Sequence, residues 1–167
     1  MGKNCLISLL ISVIVCLIGG CAVDGPSFQT APAPRPTDAL VYIYRPENSK
    51  AALTKSDFLI NGTKVASLQG TTYTWFYLPA GEYEFKQKWP VTAGMGFGSI
   101  SEKVKLDPRT THYFRLSTDA RFLLIAVEIR WQFLEVDAGE AIPEIDSCKL
   151  QPAFDVQKIL KVDHKSD

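Results

Sequence analysis

The chain has 167 residues, of which 46% are hydrophobic and 22% are charged, and its 18 basic side chains balance 18 acidic ones. This composition excludes a disordered chain, which would be poor in aliphatic residues and rich in net charge. The lack of a positive excess also argues against nucleic-acid binding, because such a protein must displace counterions from phosphates. An aromatic content of 11% with only 2 Met favours a β-rich core.

Residues 1–20 have the pattern of a secretion signal. Lys3 precedes an apolar stretch over residues 6–18, which is interrupted only by two serines and is followed by two glycines. A membrane-spanning helix would need about 20 apolar residues, so this shorter stretch indicates a signal peptide that is removed. The chain is therefore predicted to be exported.

The end of this segment, Ile18-Gly19-Gly20-Cys21, resembles the bacterial lipobox, in which an aliphatic residue and two small ones precede a cysteine. The resemblance implies that Cys21 carries lipid and that the chain is cleaved before it. The simpler alternative is a plain signal peptide with a chance cysteine. Ala22 follows Cys21 where an Asp would retain the protein in the inner membrane, so by analogy with Gram-negative sorting an outer-membrane location facing the periplasm is predicted. Two or more acyl chains anchor a protein stably without a spanning helix.

Cysteine usage follows from this processing. Cys5 and Cys16 leave with the signal and Cys21 becomes the lipid site, which leaves Cys148 alone in an oxidising compartment. No intrachain disulfide is therefore expected in the mature chain. Cys148 is interpreted first as a buried small hydrophobic residue, and after that as an intermolecular partner or a reactive thiol.

Three regions are predicted after the signal. Residues 21–38 form a lipidated, proline-rich linker, because four prolines in residues 22–37 favour extended polyproline conformations and a semi-rigid spacer. A β-sandwich domain is predicted over residues 39–147 and a tail over residues 148–167. The tail contains one weakly amphipathic stretch, over residues 152–162, and we leave open whether it is a short helix.

The sharpest local signal in the domain is Asn61-Gly62 between alternating hydrophobic residues. This pair predicts a two-residue type I′ hairpin, because both central positions need positive φ. In that register Phe58 pairs with Val65 and Ile60 pairs with Thr63.

Other strands are predicted around this hairpin. Residues 39–45 open the domain, and residues 71–78 and 82–89 are predicted as a second hairpin around Pro79-Ala80-Gly81. Apolar and charged side chains alternate in residues 82–89, which indicates one buried and one solvated face.

The remaining strands follow in the second half of the domain. Residues 100–106 and 111–116 are predicted as strands that flank a turn. Residues 122–136 are too long for one flat strand, so a break is expected near residues 128–130. A total of about 7–9 short strands predicts an all-β fold, an antiparallel β-sandwich.

The pieces ALVYIYRP, FLINGTKVASL, TYTWFYLPAGEYEF and THYFRL, in this order, resemble a family of bacterial lipoproteins known only as a domain of unknown function. The resemblance covers roughly residues 39–136. The Pro-Ala-Gly-Glu-Tyr piece is also similar to small extracytoplasmic sandwich modules named for a Pro-Glu-Gly-Ala motif. The resemblance implies a fold and an envelope location, and it brings no catalytic residues with it.

Residues that could carry chemistry are few. His112 and His164 have no Cys or carboxylate at metal-ligand spacing, so no metal or cofactor is predicted and His112 is interpreted as a strand residue. Gly94, Gly96 and Gly98 lie between predicted strands rather than before a helix, which argues against a phosphate loop. The sequence has no nucleophile elbow, and the chain is predicted not to be an enzyme.

Two aromatic surfaces are candidates for binding. Tyr73, Trp75 and Tyr77 share one face of a strand whose other face is also apolar, so core packing accounts for both faces only if a further layer covers one of them. An exposed row of this kind could dock a protein or stack on sugar rings. Met95 and Phe97 in the Gly-rich loop form the second candidate surface.

These observations together predict a lipid-anchored, non-enzymatic interaction or scaffolding module of the cell envelope, with an envelope protein as its partner and the membrane contacted through Cys21. The alternative is a carbohydrate- or peptidoglycan-binding module.

Overall fold

The computed structural model describes residues 23–46, 54–89, 99–122, 127–154 and 156, and these ranges are mostly β-strand. Within them are nine strands and one helix: β1 (Asp38–Arg45), β2 (Ser56–Ile60), β3 (Thr63–Leu68), β4 (Thr72–Pro79), β5 (Gly81–Lys88), β6 (Ser99–Leu106), β7 (Thr111–Phe122), β8 (Val127–Val136), α1 (Ala138–Ile145) and β9 (Lys149–Leu150).

The strands form two sheets, which confirms the predicted all-β sandwich. One sheet has five strands in the order β8-β7-β1-β4-β9, and the other has four in the order β3-β2-β5-β6. The predicted purely antiparallel arrangement is wrong for the five-stranded sheet, because β1 pairs parallel with β7 and β4 pairs parallel with β9. The chain changes sheet four times, after β1, β3, β4 and β6, so strands that follow one another in sequence are not always neighbours in space.

The Asn61-Gly62 hairpin is confirmed. Asn61 has φ 47° and Gly62 has φ 77°, as a type I′ turn requires. Ile60 pairs with Thr63 as predicted, but Phe58 pairs with Ala66 instead of Val65. The predicted register slips here because β3 contains an extra residue opposite the Phe58/Leu59 step, a β-bulge that leaves both Val65 and Ala66 buried.

The second predicted hairpin is wrong. Although β4 and β5 are consecutive, β4 pairs with β1 while β5 pairs with β2 and β6. Residues 79–81 therefore carry the chain from one sheet to the other. The physical reason lies in the side chains: β4 is apolar on both faces and occupies an interior position, whereas β5 alternates and leaves one face to solvent.

The predicted break near residues 128–130 is also wrong. β7 and β8 pair antiparallel without a register shift, from Tyr113 opposite Val136 to Phe122 opposite Val127. The long apolar segment is therefore the end of one strand and the whole of the next, and the chain reverses between Phe122 and Val127.

The helix α1 is an element that the sequence analysis missed. Asp137 caps it by accepting a hydrogen bond from the Glu140 backbone N–H at 3.1 Å. The Asp-x-x-Glu spacing is a capping signal, but Gly139 and Pro143 inside the segment obscure it. The domain also extends beyond its predicted end at residue 147, because β9 belongs to the five-stranded sheet.

The helix left open over residues 152–162 falls largely outside the described residues, and residues 152–154 are not helical.

The buried side chains form two clusters, one on each face of the five-stranded sheet. The cluster between the sheets is aliphatic and aromatic, and it includes Val41, Ile43, Phe58, Phe85, Phe114 and Leu116. Each such side chain contributes about 1.5–3 kcal/mol when fully buried. The second cluster lies on the outer face of the five-stranded sheet and is dominated by tyrosines. The molecule therefore has three layers, and the outer one contains the candidate site.

Candidate functional site

The candidate site lies on the outer face of the five-stranded sheet, which we call the tyrosine face. Its members come from three neighbouring strands and point to the same side because side chains alternate along a strand: Tyr42 and Tyr44 from β1, Tyr73, Trp75 and Tyr77 from β4, and Tyr113 from β7. The ring of Tyr42 stacks on that of Tyr113 with centroids 5.0 Å apart. The predicted row of Tyr73, Trp75 and Tyr77 is thus part of a wider aromatic surface.

Residues 26–32 cover much of this face. Three phenol groups hold the segment in place: Tyr73 accepts from the Gln29 N–H at 3.3 Å, Tyr42 accepts from the Ala31 N–H at 2.8 Å, and Tyr77 donates to the Pro32 carbonyl at 2.8 Å. The prediction of a spacer is therefore wrong for these residues. Proline-rich backbone is extended and has free carbonyls and amides, which suits it to bind across a row of phenols.

Phe28 is the apolar anchor of this segment. Its ring packs edge-on against Tyr73 with centroids 5.4 Å apart, and it also contacts Tyr42. This role of Phe28 was not predicted from the sequence. The signal that could have found it is the apolar second face of β4, which requires a cover, together with a large aromatic residue in an otherwise small and polar segment.

The segment 26–32 buries one residue of the predicted row and leaves the other two partly exposed. Tyr73 is 1% exposed, so the interpretation of Tyr73 as part of an open docking surface is wrong. Trp75 and Tyr77 are half-buried and their rings meet edge-on at 5.5 Å. Beside Trp75, residues of the cover and of β9 enclose a cavity of about 230 Å³. Tyr73 and Trp75 supply its aromatic lining, and Leu150 and residues of the segment 26–32 supply the rest.

The buried phenols of the tyrosine face are poor acids. Burial raises the pKa values of Tyr42, Tyr73 and Tyr113 above the ordinary value of 10.0. Burial also raises the pKa of Tyr44, and the Glu144 carboxylate, which accepts a hydrogen bond from the Tyr44 hydroxyl at 2.6 Å, raises it further. These groups are therefore neutral hydrogen-bonding groups at physiological pH.

An ion network joins α1 to the tyrosine face. Arg115 on β7 donates to both Glu140 and Glu144, with the latter at 2.9 Å, and Glu144 also accepts from Tyr44. Burial by itself would lower the pKa of Arg115, but the hydrogen bonds and charges of the two carboxylates raise it above its ordinary value. The network fixes the helix on the sheet, and the Arg115 charge is paired with both carboxylates.

A hydroxyl, an imidazole and a carboxylate lie in line near the start of β7. The Thr110 Oγ1 is 2.7 Å from His112 Nε2, and His112 Nδ1 is 2.6 Å from Glu135 Oε1. However, the Thr110 hydroxyl also lies 2.5 Å from the Asp107 carbonyl, which can only accept. Donation to that carbonyl leaves the hydroxyl as an acceptor from His112, so the arrangement locks a turn instead of activating a nucleophile.

Arg45 is the largest fully buried side chain in the described residues. Its guanidinium lies 5.8 Å from the ring centroids of both Trp89 and Trp131, and Nη1 donates to the carbonyls of Thr54 at 2.5 Å and Leu68 at 2.8 Å. Burial lowers the pKa of Arg45 to about 10, which leaves it charged at neutral pH. Arg45, at the end of β1, therefore joins the two sheets at this end of the sandwich.

The outer face of the four-stranded sheet is polar. Glu82 lies opposite Lys105 and Glu84 lies opposite Lys103, and these charges line an open depression of about 400 Å³. Opposite charges directly across a strand pair stabilise the sheet, and the depression has no net charge to attract an ion. It is a solvated face.

The remaining predicted residues divide into two groups. Cys148 is buried, with its Sγ 3.6 Å from the carbonyls of Arg45 and Glu144, which fits the first interpretation of this residue. Cys21, Met95 and Phe97 lie outside the described residues. In the described part of the chain, no group of three or more His, Cys, Asp and Glu side chains could hold a metal ion. No helix in that part has the length and apolarity needed to cross a membrane.

The fold and site define a two-sheet β-sandwich whose five-stranded sheet carries an additional, tyrosine-rich outer layer. The chain belongs to the family described as protein of unknown function (DUF2846), whose model matches residues 35–124. This result confirms the resemblance to a domain-of-unknown-function family. No curated protein matches the chain. The match extends from just before β1 to just beyond β7, so residues 26–32 and α1, which cover the tyrosine face, lie outside it.

Proposed function

We propose that this chain is a lipid-anchored protein of the cell envelope, attached through Cys21 to the outer membrane and facing the periplasm, whose sandwich serves as a non-enzymatic protein-interaction module. The observation that carries the interaction role is the partly exposed Trp75/Tyr77 pair beside the cavity on the tyrosine face. Tryptophan and tyrosine combine a large apolar surface with a polar group, and they are enriched where proteins bind one another.

The anchoring half of the proposal rests on the sequence. A basic start, a short apolar stretch and the Ile18-Gly19-Gly20-Cys21 exit occur together within 21 residues. The first described hydrogen bond of the N-terminal segment, from Gln151 to the Asp24 carbonyl, lies three residues beyond Cys21. Contacts with the domain therefore begin directly after the proposed lipid site.

The non-enzymatic half of the proposal is supported by how the polar groups are used. Thr110 is held by a carbonyl, Arg115 by two carboxylates and the phenol of Tyr44 by one of these same carboxylates. Groups committed to such internal contacts are not available to bind and transform a substrate. The aromatic pair, in contrast, has accessible surface.

A carbohydrate-binding module is the alternative, and the same pair favours it. Tryptophan rings stack on sugar faces, and Trp75 is partly exposed beside a cavity whose lining includes the polar residues Ser27, Gln29 and Thr30. The edge-on arrangement of Trp75 and Tyr77, at an interplanar angle of 73°, presents one flat ring face instead of a continuous platform. We therefore place a protein partner first.

The anchor is tested by labelling cells that express the protein with a palmitate analogue. Cys21→Ala should abolish incorporation of the label and leave uncleaved precursor. Cys148→Ala is the matched control, because it removes a cysteine that is buried in the folded domain and should leave both labelling and cleavage unchanged. Continued labelling or normal processing of the Cys21→Ala protein would contradict lipidation.

The interaction role is tested with a photo-crosslinking residue placed in turn at positions 75 and 103 of the full-length protein in cells. Position 75 lies on the tyrosine face, and position 103 is an exposed control on the four-stranded sheet. A discrete protein adduct from position 75 that disappears in a Tyr77→Ala background, with none from position 103, supports the proposal. Saturable pelleting with purified peptidoglycan that is lost in Trp75→Ala, without such an adduct, supports the alternative.

A further inference from the structure

The start of the described chain is clamped to one edge of the five-stranded sheet. The Asp24 carbonyl accepts from Gln151 Nε2 at 2.7 Å, and the Pro26 carbonyl accepts from the Leu150 N–H at 2.8 Å. Between them lies Gly25, whose φ is +149° and where an added Cβ would lie 2.4 Å from the Leu150 carbonyl oxygen. Only glycine permits this close approach of two backbones. The segment therefore joins the fold at residue 24, before the prolines begin to run across the tyrosine face.

This clamp leaves a very short connection to Cys21. Two residues lie between Cys21 and Asp24, and even a fully extended chain spans no more than about 3.6 Å per residue step, or about 11 Å over the three steps. A lipid anchor on Cys21 would therefore hold the backbone of Asp24, at the edge that also contains Gln151, within about 11 Å of the Cys21 backbone. The proline-rich segment cannot act as a spacer, because its residues are bound to the domain.

Next to this edge, the chain crosses to β3 at the edge of the four-stranded sheet, where it displays an exposed aromatic residue. Phe154 follows Gln151 by three residues, its backbone N–H donates to the Val65 carbonyl at 2.7 Å, and it is 49% exposed, the highest value among the large hydrophobic side chains described. The Lys64 ammonium lies 5.3 Å from the centre of its ring. Lys64 also forms an ion pair with Asp57 at 2.8 Å, so part of its charge is compensated.

We propose that this edge, formed by Asp24, Pro26, Lys149, Gln151 and Phe154 and called here the anchor edge, rests on the surface of the lipid bilayer with Phe154 inserted among the headgroups. The inference rests on the proposed lipidation of Cys21 and names the surface that the anchored domain presents to the membrane. An apolar ring with the Lys64 ammonium beside it, on an edge that also contains Lys149, matches a bilayer interface, where rings lie at headgroup level and ammonium groups meet lipid phosphates. A domain on a long tether would have no preferred edge.

The molecule supplies a matched control position. Leu134 on β8 is 44% exposed, close to the value for Phe154, but β8 is at the opposite edge of the five-stranded sheet from β9. Four strand spacings, roughly 19 Å, separate β8 from β9, and Phe154 lies three residues, at most about 11 Å, beyond Gln151 at the β9 edge. Position 134 should therefore face away from the membrane when the anchor edge is in contact with it.

The experiment uses the full-length lipidated protein reconstituted into vesicles of phosphatidylethanolamine and phosphatidylglycerol. Phe154→Cys and Leu134→Cys are labelled in separate samples with an environment-sensitive fluorophore, which buried Cys148 does not take up. Lipids that carry a nitroxide at the headgroup then act as quenchers. We expect quenching at position 154 to exceed that at position 134 by at least threefold.

Two controls separate the possible failures. Vesicle flotation of the unlabelled protein and of a chain that begins at residue 22, which lacks both Cys21 and the apolar signal, tests the anchor directly, and thermal unfolding shows whether each labelled variant is folded. Flotation that depends on Cys21, together with equal quenching at the two positions, would overturn the anchor edge and leave the lipidation proposal intact. A wild-type protein that does not float with the vesicles would overturn both.

Discussion

At the scale of single residues, backbone conformation and buried charge explain the two most sharply defined positions in the fold. Gly62 has positive φ and no other atoms within 4 Å of where a Cβ would lie, so its requirement is purely conformational. Arg45 is the opposite case: its backbone is ordinary strand, and its side chain is surrounded by tryptophan rings and carbonyl groups. Substitution of Gly62 should therefore reduce stability through backbone strain, and substitution of Arg45 through lost side-chain contacts.

Gly62→Val should destabilise the protein by at least about 1 kcal/mol, because a β-branched residue is strained at the φ of 77° that the turn imposes. Urea denaturation measures the change. Gly62→Asn is the matched control and should cost only a few tenths of this amount, since asparagine tolerates the left-handed region. Equal losses for the two variants would mean that the side-chain environment, not the backbone, determines the cost.

Arg45→Lys should destabilise the protein by about 2 kcal/mol although the charge is kept, because an ammonium group cannot reproduce both the contact of the planar guanidinium with the Trp89 and Trp131 rings and its hydrogen bonds to two carbonyls. Unfolding monitored by tryptophan fluorescence measures the loss. Arg35→Lys, at an exposed position, is the control and should be neutral. Unchanged stability in Arg45→Lys would show that a positive charge alone is sufficient at this end of the sandwich.

At the scale of elements, α1 shows how a short helix is maintained by its cap and its contacts. It has eight residues, which is too few to be stable alone in water, and Gly139 and Pro143 lower its propensity further. Ala141 and Ile145 are buried against the tyrosine face, and Glu140 and Glu144 bind Arg115. Tertiary contacts therefore maintain a helix that local preference alone would not.

Asp137→Ala should cost about 1 kcal/mol, because it removes the side-chain acceptor of the Glu140 N–H at the start of α1. Thermal unfolding measures the effect. Asp146→Ala at the other end of the helix is the control: a negative charge there opposes the helix dipole, so its removal should be neutral or slightly stabilising. A neutral Asp137→Ala would show that the cap does not contribute to stability.

At the scale of the whole molecule, the boundary of the family match does not coincide with the boundary of the folded unit. The match begins at residue 35, but Phe28 and the backbone of residues 29–32 complete the tyrosine face. Any chain that begins at the family boundary exposes several large aromatic residues that the longer chain buries.

A chain that begins at residue 35 should be less stable than one that begins at residue 23 by about 2–4 kcal/mol, because it loses the packing of Phe28 and three hydrogen bonds to phenols. Chemical denaturation of both chains measures the difference. Phe28→Ala in the longer chain should reproduce part of it. Equal stabilities would show that residues 23–34 are a dispensable cover.

Alkaline pH should destabilise the protein. Four buried phenols, those of Tyr42, Tyr44, Tyr73 and Tyr113, have pKa values raised above 10.0, so the unfolded chain releases these protons first. Their stabilising contribution is complete below about pH 10 and is lost as the pH rises above it. Arg45, whose pKa is lowered to about 10, acts in the opposite direction but is a single group.

The measurement is the urea midpoint at about pH 8 and about pH 11. Tyr113→Phe, which removes one of the four titrating groups, should reduce the fall between the two conditions. A midpoint that does not change with pH in the wild-type protein would contradict the burial of these phenols.

The sequence by itself determined the local features of this protein. Alternating side chains identify β-strands because their period matches the pleat, and Asn61-Gly62 identifies a turn because both residues tolerate positive φ. These are properties of neighbouring residues. For the same reason the number of strands and the sandwich class could be predicted, and so could the shared face of Tyr73, Trp75 and Tyr77.

Only the tertiary structure decided which strands pair and which faces are covered. β4 and β5 are adjacent in sequence but lie in different sheets, and Tyr73 is buried because residues more than forty positions away lie across it. Such contacts depend on how the whole chain buries its apolar surface. Because the hydrophobic effect is non-directional, the local sequence does not specify which segment covers which face. The proline-rich segment, which its composition predicts to be extended, forms the third layer of the fold. Its free backbone carbonyl and amide groups make hydrogen bonds with the phenols of the tyrosine face.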